Sequence, residues 1–208
     1  MTRDPQGLGI ALVISAPSGA GKTTLVHRLT EEFTHFSYSV SYTTRAPRDG
    51  EQEGVDYHFV SRQDFRDLIE EDFFAEWAEV HGNYYGTPLQ DIEEMLNQGR
   101  DVLLDVDVQG ARQLKAKLPG LYVFILPPSR EALKERLMKR GTDEPEVIEK
   151  RLRNAGDEIA QAVLFDAWVV NDDLDTAYDE LRSAYMSERL KPSRCPGVLQ
   201  ELLQQWDG

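Results

Sequence analysis

Cysteine and positive charge are both scarce in this chain. Its 208 residues include one cysteine, and 23 lysines and arginines stand against 37 aspartates and glutamates, giving a formal net charge of −14. The single Cys195 excludes an internal disulfide framework and a thiolate zinc cage, and it favours a reducing compartment. The four histidines show no metal-ligand spacing. Because the chain is so acidic, we expect it to bind neither nucleic acid nor an anionic membrane surface.

Long apolar runs are also missing. No segment approaches the roughly 20 apolar residues of a membrane-spanning helix. Residues 8–14 after Arg3 resemble a short signal peptide, but Asp4 cancels the positive charge, and we interpret the run as a buried strand. We therefore expect a cytoplasmic protein. The composition, 40% hydrophobic and 29% charged, is that of a globular chain with one compact core.

Strand and helix patterns alternate along most of the chain, which predicts an α/β fold with a buried parallel sheet. Two stretches interrupt the alternation. Short alternating strands and several glycines predict a small mixed α/β insert, and a later charged stretch predicts a pair of helices. The predicted division is a core over residues 1–38, 91–133 and 163–208, an insert over 39–90 and a helical pair over 134–162.

Local signals predict where some elements begin. Alternation around Val55 to Phe59 predicts a half-buried strand, and Ser61 followed by Asp64 predicts a helix start. Thr87 is predicted to cap the next helix, with Pro88 at its first position.

A glycine-rich segment follows the first predicted strand and opens the first helix. In this context backbone N–H groups surround a phosphate at a helix N-terminus, as in a P-loop. Lys22 would reach the β and γ phosphates of a nucleoside triphosphate, and the Thr23 hydroxyl would bind magnesium. The alternative is a glycine-rich loop with an exposed lysine. The candidate phosphate-binding residues are Ala16, Pro17, Ser18, Gly19, Ala20, Gly21, Lys22, Thr23 and Thr24.

Further motifs accompany this loop in a fixed order: Ser41-Tyr42-Thr43-Thr44-Arg45-Ala46-Pro47-Arg48, Gly54-Val55-Asp56-Tyr57, Glu76-Trp77, Tyr84-Tyr85-Gly86-Thr87, Asp105-Val106-Asp107, Arg136 with Arg140-Gly141-Thr142, Lys150-Arg151 and Asn171. The set resembles the guanylate kinases of bacteria over nearly the whole chain. The resemblance implies a P-loop NTPase-type core, a GMP-binding insert and a mobile helical lid. It also implies magnesium-dependent phosphoryl transfer from ATP to GMP, in purine nucleotide metabolism. Because no residue is identified that reads the sugar, dGMP is expected to serve as well.

By this resemblance the insert binds the acceptor nucleotide. Arg45 is assigned to the GMP phosphate, which suits the planar fork of a guanidinium, and Glu76 to the N1–H and 2-amino donors of guanine. The other residues assigned to GMP are Ser41, Arg48, Tyr57, Tyr85, Thr87 and Asp107. Without the accompanying motifs, the arginines would be interpreted as a solvated loop and Glu76 as a charged residue on a half-buried strand.

The resemblance also assigns residues to ATP and to the transferring group. Arg136 and Arg140 share a helix face, and with Arg151 they become lid arginines, although cations near a helix end also suit its dipole. Asp105 is assigned to the water shell of magnesium. Asn171 resembles a residue that contacts adenine, with a turn-forming asparagine as the alternative. The residues expected to act in catalysis are Lys22, Arg45, Arg136, Arg140 and Arg151.

Two other functions stay open on the sequence. One is a kinase for a different nucleoside monophosphate, thymidylate or adenylate, against which Glu76 and the Ser41 and Thr87 hydroxyls argue. The other is a guanylate-kinase-like module that docks a phosphopeptide and lacks a working P-loop. The expected partners are the small molecules ATP and GMP, and the sequence does not indicate an oligomeric state.

Overall fold

The computed structural model of the protein describes residues 7–139, 144–195 and 197–206. None of the described helices is long and apolar enough to cross a membrane. In chain order the elements are β1 (Ala11–Ser15), α1 (Lys22–Glu32), β2 (Tyr42–Thr43), β3 (His58–Phe59), α2 (Arg62–Glu70), β4 (Phe74–Val80), β5 (Asn83–Pro88), α3 (Leu89–Asn97), β6 (Val102–Asp105), α4 (Val108–Lys117), β7 (Leu121–Leu126), α5 (Arg130–Lys139), α6 (Pro145–Ala160), β8 (Ala167–Val170), α7 (Leu174–Arg189) and α8 (Val198–Trp206), with short 3₁₀ turns at Ala162–Leu164 and Pro192–Arg194.

A parallel four-stranded sheet in the order β6-β1-β7-β8 forms the core. Successive side chains of β1 point to opposite faces of the sheet. Leu12 and Ile14 pack in one apolar cluster with α1 and α7, whereas Ala11 and Val13 pack in another with α3 and α4. Both faces are therefore covered, which confirms the predicted α/β fold. Parallel pairing of β1 with β6 places the carboxyl ends of these two strands side by side.

The second sheet is mixed and has the order β3-β2-β5-β4. Its β4–β5 hairpin is joined to the core through α4. The Gln113 side chain on α4 accepts a hydrogen bond from the Trp77 N–H at 3.1 Å and donates one to the Trp77 carbonyl at 2.9 Å. This amide pair fixes the position of β4 against α4.

The start of α3 differs from the sequence prediction by one residue. Thr87 lies inside β5 opposite Glu76, Pro88 takes the N-cap position, and α3 begins at Leu89. The Thr87 hydroxyl donates to Glu76 instead of capping the helix. The predicted cap is wrong because Glu76, which faces Thr87 across the β4–β5 hairpin, accepts the hydroxyl instead.

The strand predicted around Val55 is shorter than expected. It contains His58 and Phe59 alone, because the N–H groups of Val55 and Asp56 turn back to the Gln52 carbonyl. The helix start at Ser61 is confirmed, since its side chain accepts the Asp64 N–H.

Helices α5 and α6 pack against each other as the predicted helical pair. Their shared cluster consists of Leu133, Leu137, Ile148, Leu152 and Ala155. Glu149 on α6 pairs with Arg130 and Lys134 on α5, each at 3.0 Å. Arg140 and the predicted helix stop at Gly141 lie outside the described residues.

Candidate active site

The glycine-rich segment over residues 16–21, named the phosphate loop after its predicted role, connects β1 to α1 at the carboxyl edge of the parallel sheet, where α/β proteins bind ligands. Gly19 and Gly21, which carry no Cβ, adopt backbone φ angles of 95° and 98°. Helix α1 has no side-chain cap at its N-terminus. The first N–H groups of α1 therefore point at the loop, where the oxygens of a phosphate can accept their hydrogen bonds.

Neighbouring elements press closely on this loop. A Cβ at Gly19 would lie 3.0 Å from Leu137 Cδ2 on α5, and a Cβ at Gly21 would lie 2.2 Å from Asn171 Nδ2 beyond β8. The φ angles favour glycine at both positions, and at Gly21 an added Cβ would also displace the Asn171 amide.

Asn171 and Arg136 hold the phosphate loop from outside. The buried Asn171 side chain donates from Nδ2 to the Ala20 carbonyl at 2.7 Å. Arg136 on α5 donates to the Asn171 carbonyl at 2.8 Å and approaches the Ala20 carbonyl at 3.5 Å. This network links the loop to α5, and it engages the Asn171 amide nitrogen without any nucleotide. The adenine contact assigned to Asn171 stays a prediction.

Lys22 forms an ion pair with Asp105 across the sheet edge. The contact follows from strand register, because Ile14 of β1 pairs with Asp105 at the end of β6. In this arrangement the carboxylate holds the ammonium group at the mouth of the phosphate loop.

Oxygen donors beside this pair fit a magnesium ion. Thr23 is an exposed residue in the first turn of α1, and the Asp105 side chain is 40% exposed. Among the described residues, no three His, Cys, Asp or Glu side chains are grouped to hold a metal. Magnesium commonly keeps several waters and binds through one or two protein oxygens together with substrate phosphates, so this donor set suits it.

Arg45 lies on the loop after β2, whose base is fixed by two threonines. The Thr43 hydroxyl accepts the Arg45 N–H at 3.2 Å and donates to the Tyr84 carbonyl at 3.0 Å. The Thr44 hydroxyl accepts the Tyr84 N–H at 2.9 Å. The loop is therefore tied to β5.

Aromatic residues surround the Arg45 guanidinium. It lies 5.4 Å from the centre of the Tyr57 ring, and the Tyr57 and Tyr85 rings meet edge to face at 6.0 Å. Thus Arg45, Tyr57 and Tyr85 come together, as the resemblance predicts. Arg48 follows on the same exposed loop, and Ser41 is half-buried just before β2.

Glu76 and Thr87 form a polar pair across the second sheet. The Thr87 hydroxyl donates to Glu76 Oε1 at 2.5 Å. Burial raises the pKa of the Glu76 carboxyl, the Thr87 hydrogen bond opposes this, and the charge of Asp107 raises it further. Asp107 caps α4 by accepting the Gly110 N–H at 2.8 Å. A Cβ at Gly110 would lie 3.2 Å from Glu76 Oε2, so the start of α4 directly adjoins this carboxylate.

Comparisons with known proteins agree with this geometry. The profile of the family "Guanylate kinase" matches residues 9–188. The chain is 60% identical over 200 residues to the guanylate kinase of Nitratidesulfovibrio vulgaris, covering 96% of this chain and 97% of the relative. It is 58% identical to that of Oleidesulfovibrio alaskensis over 199 residues, covering 95% and 97%. A crystal structure of guanylate kinase from Anaplasma phagocytophilum superposes with a TM-score of 0.69 at 34% identity, covering 96% of this chain and 95% of that one.

The chain belongs to the guanylate kinase family.

Two acidic residues at the site of this guanylate kinase family member were not predicted. Glu51 pairs with Arg45, and only its closeness in sequence to Arg45 and Arg48 could have suggested this. Glu158 on α6 has a pKa raised by burial and by the charge of Asp107, and lowered by Lys22.

The close packing at Gly21 makes its substitution different from that of an ordinary left-handed glycine. Gly82, in the β4–β5 turn, has a φ angle of 78° and no atom within 4 Å of an added Cβ. We expect Gly82→Ala to lower the free energy of unfolding by about 1 kcal/mol, with ATP affinity unchanged. Gly21→Ala must also displace Asn171, so we expect ATP affinity to fall roughly tenfold or more. Calorimetric titration measures the ATP affinities, and denaturant unfolding measures the free energies of unfolding. Equal ATP affinities in the two variants would contradict the packing argument.

Proposed function

We propose that this chain transfers the γ-phosphoryl group of ATP to GMP, giving ADP and GDP. An oxygen of the GMP phosphate bonds to the γ phosphorus as the bond from that phosphorus to the ADP oxygen breaks. One observation carries the proposal: the stretch from the end of β6 to the first turn of α4, residues 105–110, adjoins both half-sites. Asp105 at the end of β6 pairs with Lys22, directly after the phosphate loop, and Gly110 in the first turn of α4 abuts the Glu76 carboxylate.

The donor half is assigned to the phosphate loop and its supports. Residues 16–24 would bind the ATP phosphates, with Lys22 as the fixed positive charge, and Asn171 would lie beside the nucleotide. Thr23 and Asp105 would hold magnesium, directly or through its waters. When bound, the ion neutralises charge on the β and γ phosphates.

The acceptor half is assigned to the second sheet. Arg45, Arg48, Tyr57 and Tyr85 would bind the GMP phosphate. Glu76 would accept the N1–H and 2-amino hydrogen bonds of guanine, with the remaining base contacts from Ser41, Thr87 and Asp107. Adenine lacks that pair of donors, so AMP would leave the half-buried Glu76 carboxylate unpaired. This should weaken AMP binding relative to GMP by several kcal/mol.

Catalysis requires no general base. The attacking phosphate oxygen is already largely deprotonated at neutral pH, because the second pKa of a phosphate monoester is about 6. The rate acceleration then comes from positioning of the two nucleotides and from stabilisation of charge in the transition state. Arg136, Arg140 and Arg151 would supply positive charge from the helical pair and exclude water.

The division of the chain follows from these roles. Residues 39–90 would act as the acceptor insert and 134–162 as the lid on a core formed by the remainder. A cytoplasmic location fits the lone cysteine and the substrates, and dGMP would also be accepted.

A coupled assay of ADP release tests the proposal with GMP, AMP and dTMP as acceptors. We expect GMP to be the fastest. Lys22→Ala should lower kcat roughly 100-fold or more while GMP affinity stays within about twofold. Glu76→Ala should lower the preference for GMP over AMP roughly 100-fold. Glu79→Ala, which removes an exposed carboxylate from the same strand as Glu76, is the control and should change neither kcat nor the preference for GMP over AMP. Faster turnover of AMP or dTMP than of GMP would overturn the assignment.

The raised pKa of Glu76 predicts a pH dependence of guanine binding. The ionised carboxylate is the form that accepts both guanine donors, and burial favours the neutral form at pH values above the usual 4.5. As pH falls towards the raised pKa, we therefore expect guanosine affinity to fall, by at most about tenfold per pH unit.

Guanosine is the appropriate ligand because it has no phosphate to titrate. Calorimetric titrations from pH 8 to pH 5 measure the effect, and Glu76→Gln, which does not titrate, should bind more weakly with little pH dependence. An equal pH dependence in both proteins would assign the titration to another group.

A further inference from the structure

Glu51 joins the two arginines of the acceptor loop. Its carboxylate accepts from Arg45 Nη2 at 2.8 Å and from Nη1 at 3.0 Å, and it also accepts the Arg48 N–H at 2.7 Å. The Arg45 and Glu51 side chains are only 15% and 19% exposed. A bidentate pair this sequestered fixes the guanidinium plane more firmly than a typical surface ion pair does.

The hydrogen-bond geometry leaves one side of the guanidinium for a ligand. Nη1 donates to both Glu51 and the Ala46 carbonyl, and Nη2 uses one hydrogen on Glu51. A guanidinium has five N–H donors, so neither Glu51 nor Ala46 uses the fork made by Nε and the second hydrogen of Nη2. The Tyr85 hydroxyl lies within hydrogen-bonding reach of the same guanidinium. A phosphate bound to that fork would therefore meet Tyr85 as well.

Glu51 also closes the loop on itself. Its own N–H donates to the Arg48 carbonyl at 3.1 Å, while its side chain accepts the Arg48 N–H. The opposite end of the loop is fixed by Thr43 and Thr44, whose hydroxyls bond to the backbone of Tyr84 on β5. Arg45 is thus held from both ends by groups of its own loop and sheet.

We propose that Glu51 is a positioning residue for the acceptor phosphate, presenting the Nε–Nη2 fork of Arg45 and the Arg48 segment to it. The inference rests on the proposed function. It makes a prediction opposite in sign to that of simple electrostatics. A carboxylate beside an anionic phosphate is repulsive, so removal of its charge alone should strengthen GMP binding. Loss of positioning should weaken it.

The test is Glu51→Gln, with Asp49→Asn as the matched control. Asp49 is an exposed acid on the same loop, so the control removes the same charge without touching the Arg45 pair. The measured quantity is the ratio of GMP affinity to guanosine affinity, which isolates the phosphate and cancels any unfolded fraction. We expect this ratio to fall roughly 10- to 100-fold in Glu51→Gln and to stay within about twofold in Asp49→Asn.

Steady-state kinetics and a second variant complete the test. The KM for GMP should rise in Glu51→Gln while the KM for ATP stays within about twofold, which a general structural defect would not produce. Glu51→Asp keeps the charge but is one methylene shorter, so its ratio of GMP affinity to guanosine affinity should fall nearly as far as in Glu51→Gln. An unchanged or increased ratio in Glu51→Gln, or a wild-type ratio in Glu51→Asp, overturns the inference. If the wild-type chain itself does not bind GMP, the proposed function fails instead.

Discussion

Coulomb repulsion is the constraint that this active site has to overcome. Two polyanionic nucleotides must approach each other on a chain whose net charge is −14, so attraction has to come from a few cations fixed at defined positions. In the structure these cations are already held by carboxylates: Lys22 by Asp105 and Arg45 by Glu51. Such pairs keep flexible cationic side chains in place, which lowers the conformational entropy that phosphate binding would otherwise cost. An acidic protein can therefore maintain a local anion-binding site.

Secondary structure determines where these groups meet. The register of β1 and β6 places Asp105 beside the start of α1, and the cap at Asp107 turns the chain into α4. Gln113, six residues after Asp107 on α4, fixes β4 and thereby the Glu76 carboxylate. Helix α4 thus contacts both the parallel core and the second sheet, so that the proposed donor and acceptor halves share a common support, while α5 contacts the phosphate loop through Arg136.

The parts of the fold governed by local patterns could be predicted from the sequence. The strand, glycine loop and helix around residues 11–32 follow from an apolar run, glycines and helical spacing, and the structure has them there. Thr87 was assigned to the wrong element because its partner, Glu76, comes from a neighbouring strand. Glu51 was missed because acidic residues on a loop are usually solvated, and its pairing depends on a turn that spacing alone does not define. The roles of single side chains toward nucleotides are set by ligand contacts, so they remain proposals.

A crystal structure of the protein with GMP, a non-hydrolysable ATP analogue and magnesium tests the central claim most directly. We expect Lys22 Nζ to lie within hydrogen-bonding distance of the β and γ phosphates. The Arg45 guanidinium should contact the GMP phosphate, and the two phosphate groups should face each other across the β6–α4 segment. Phosphates bound away from Lys22 and Arg45, or the same side chains directed to solvent in the filled site, would contradict a mechanism based on locally fixed positive charge.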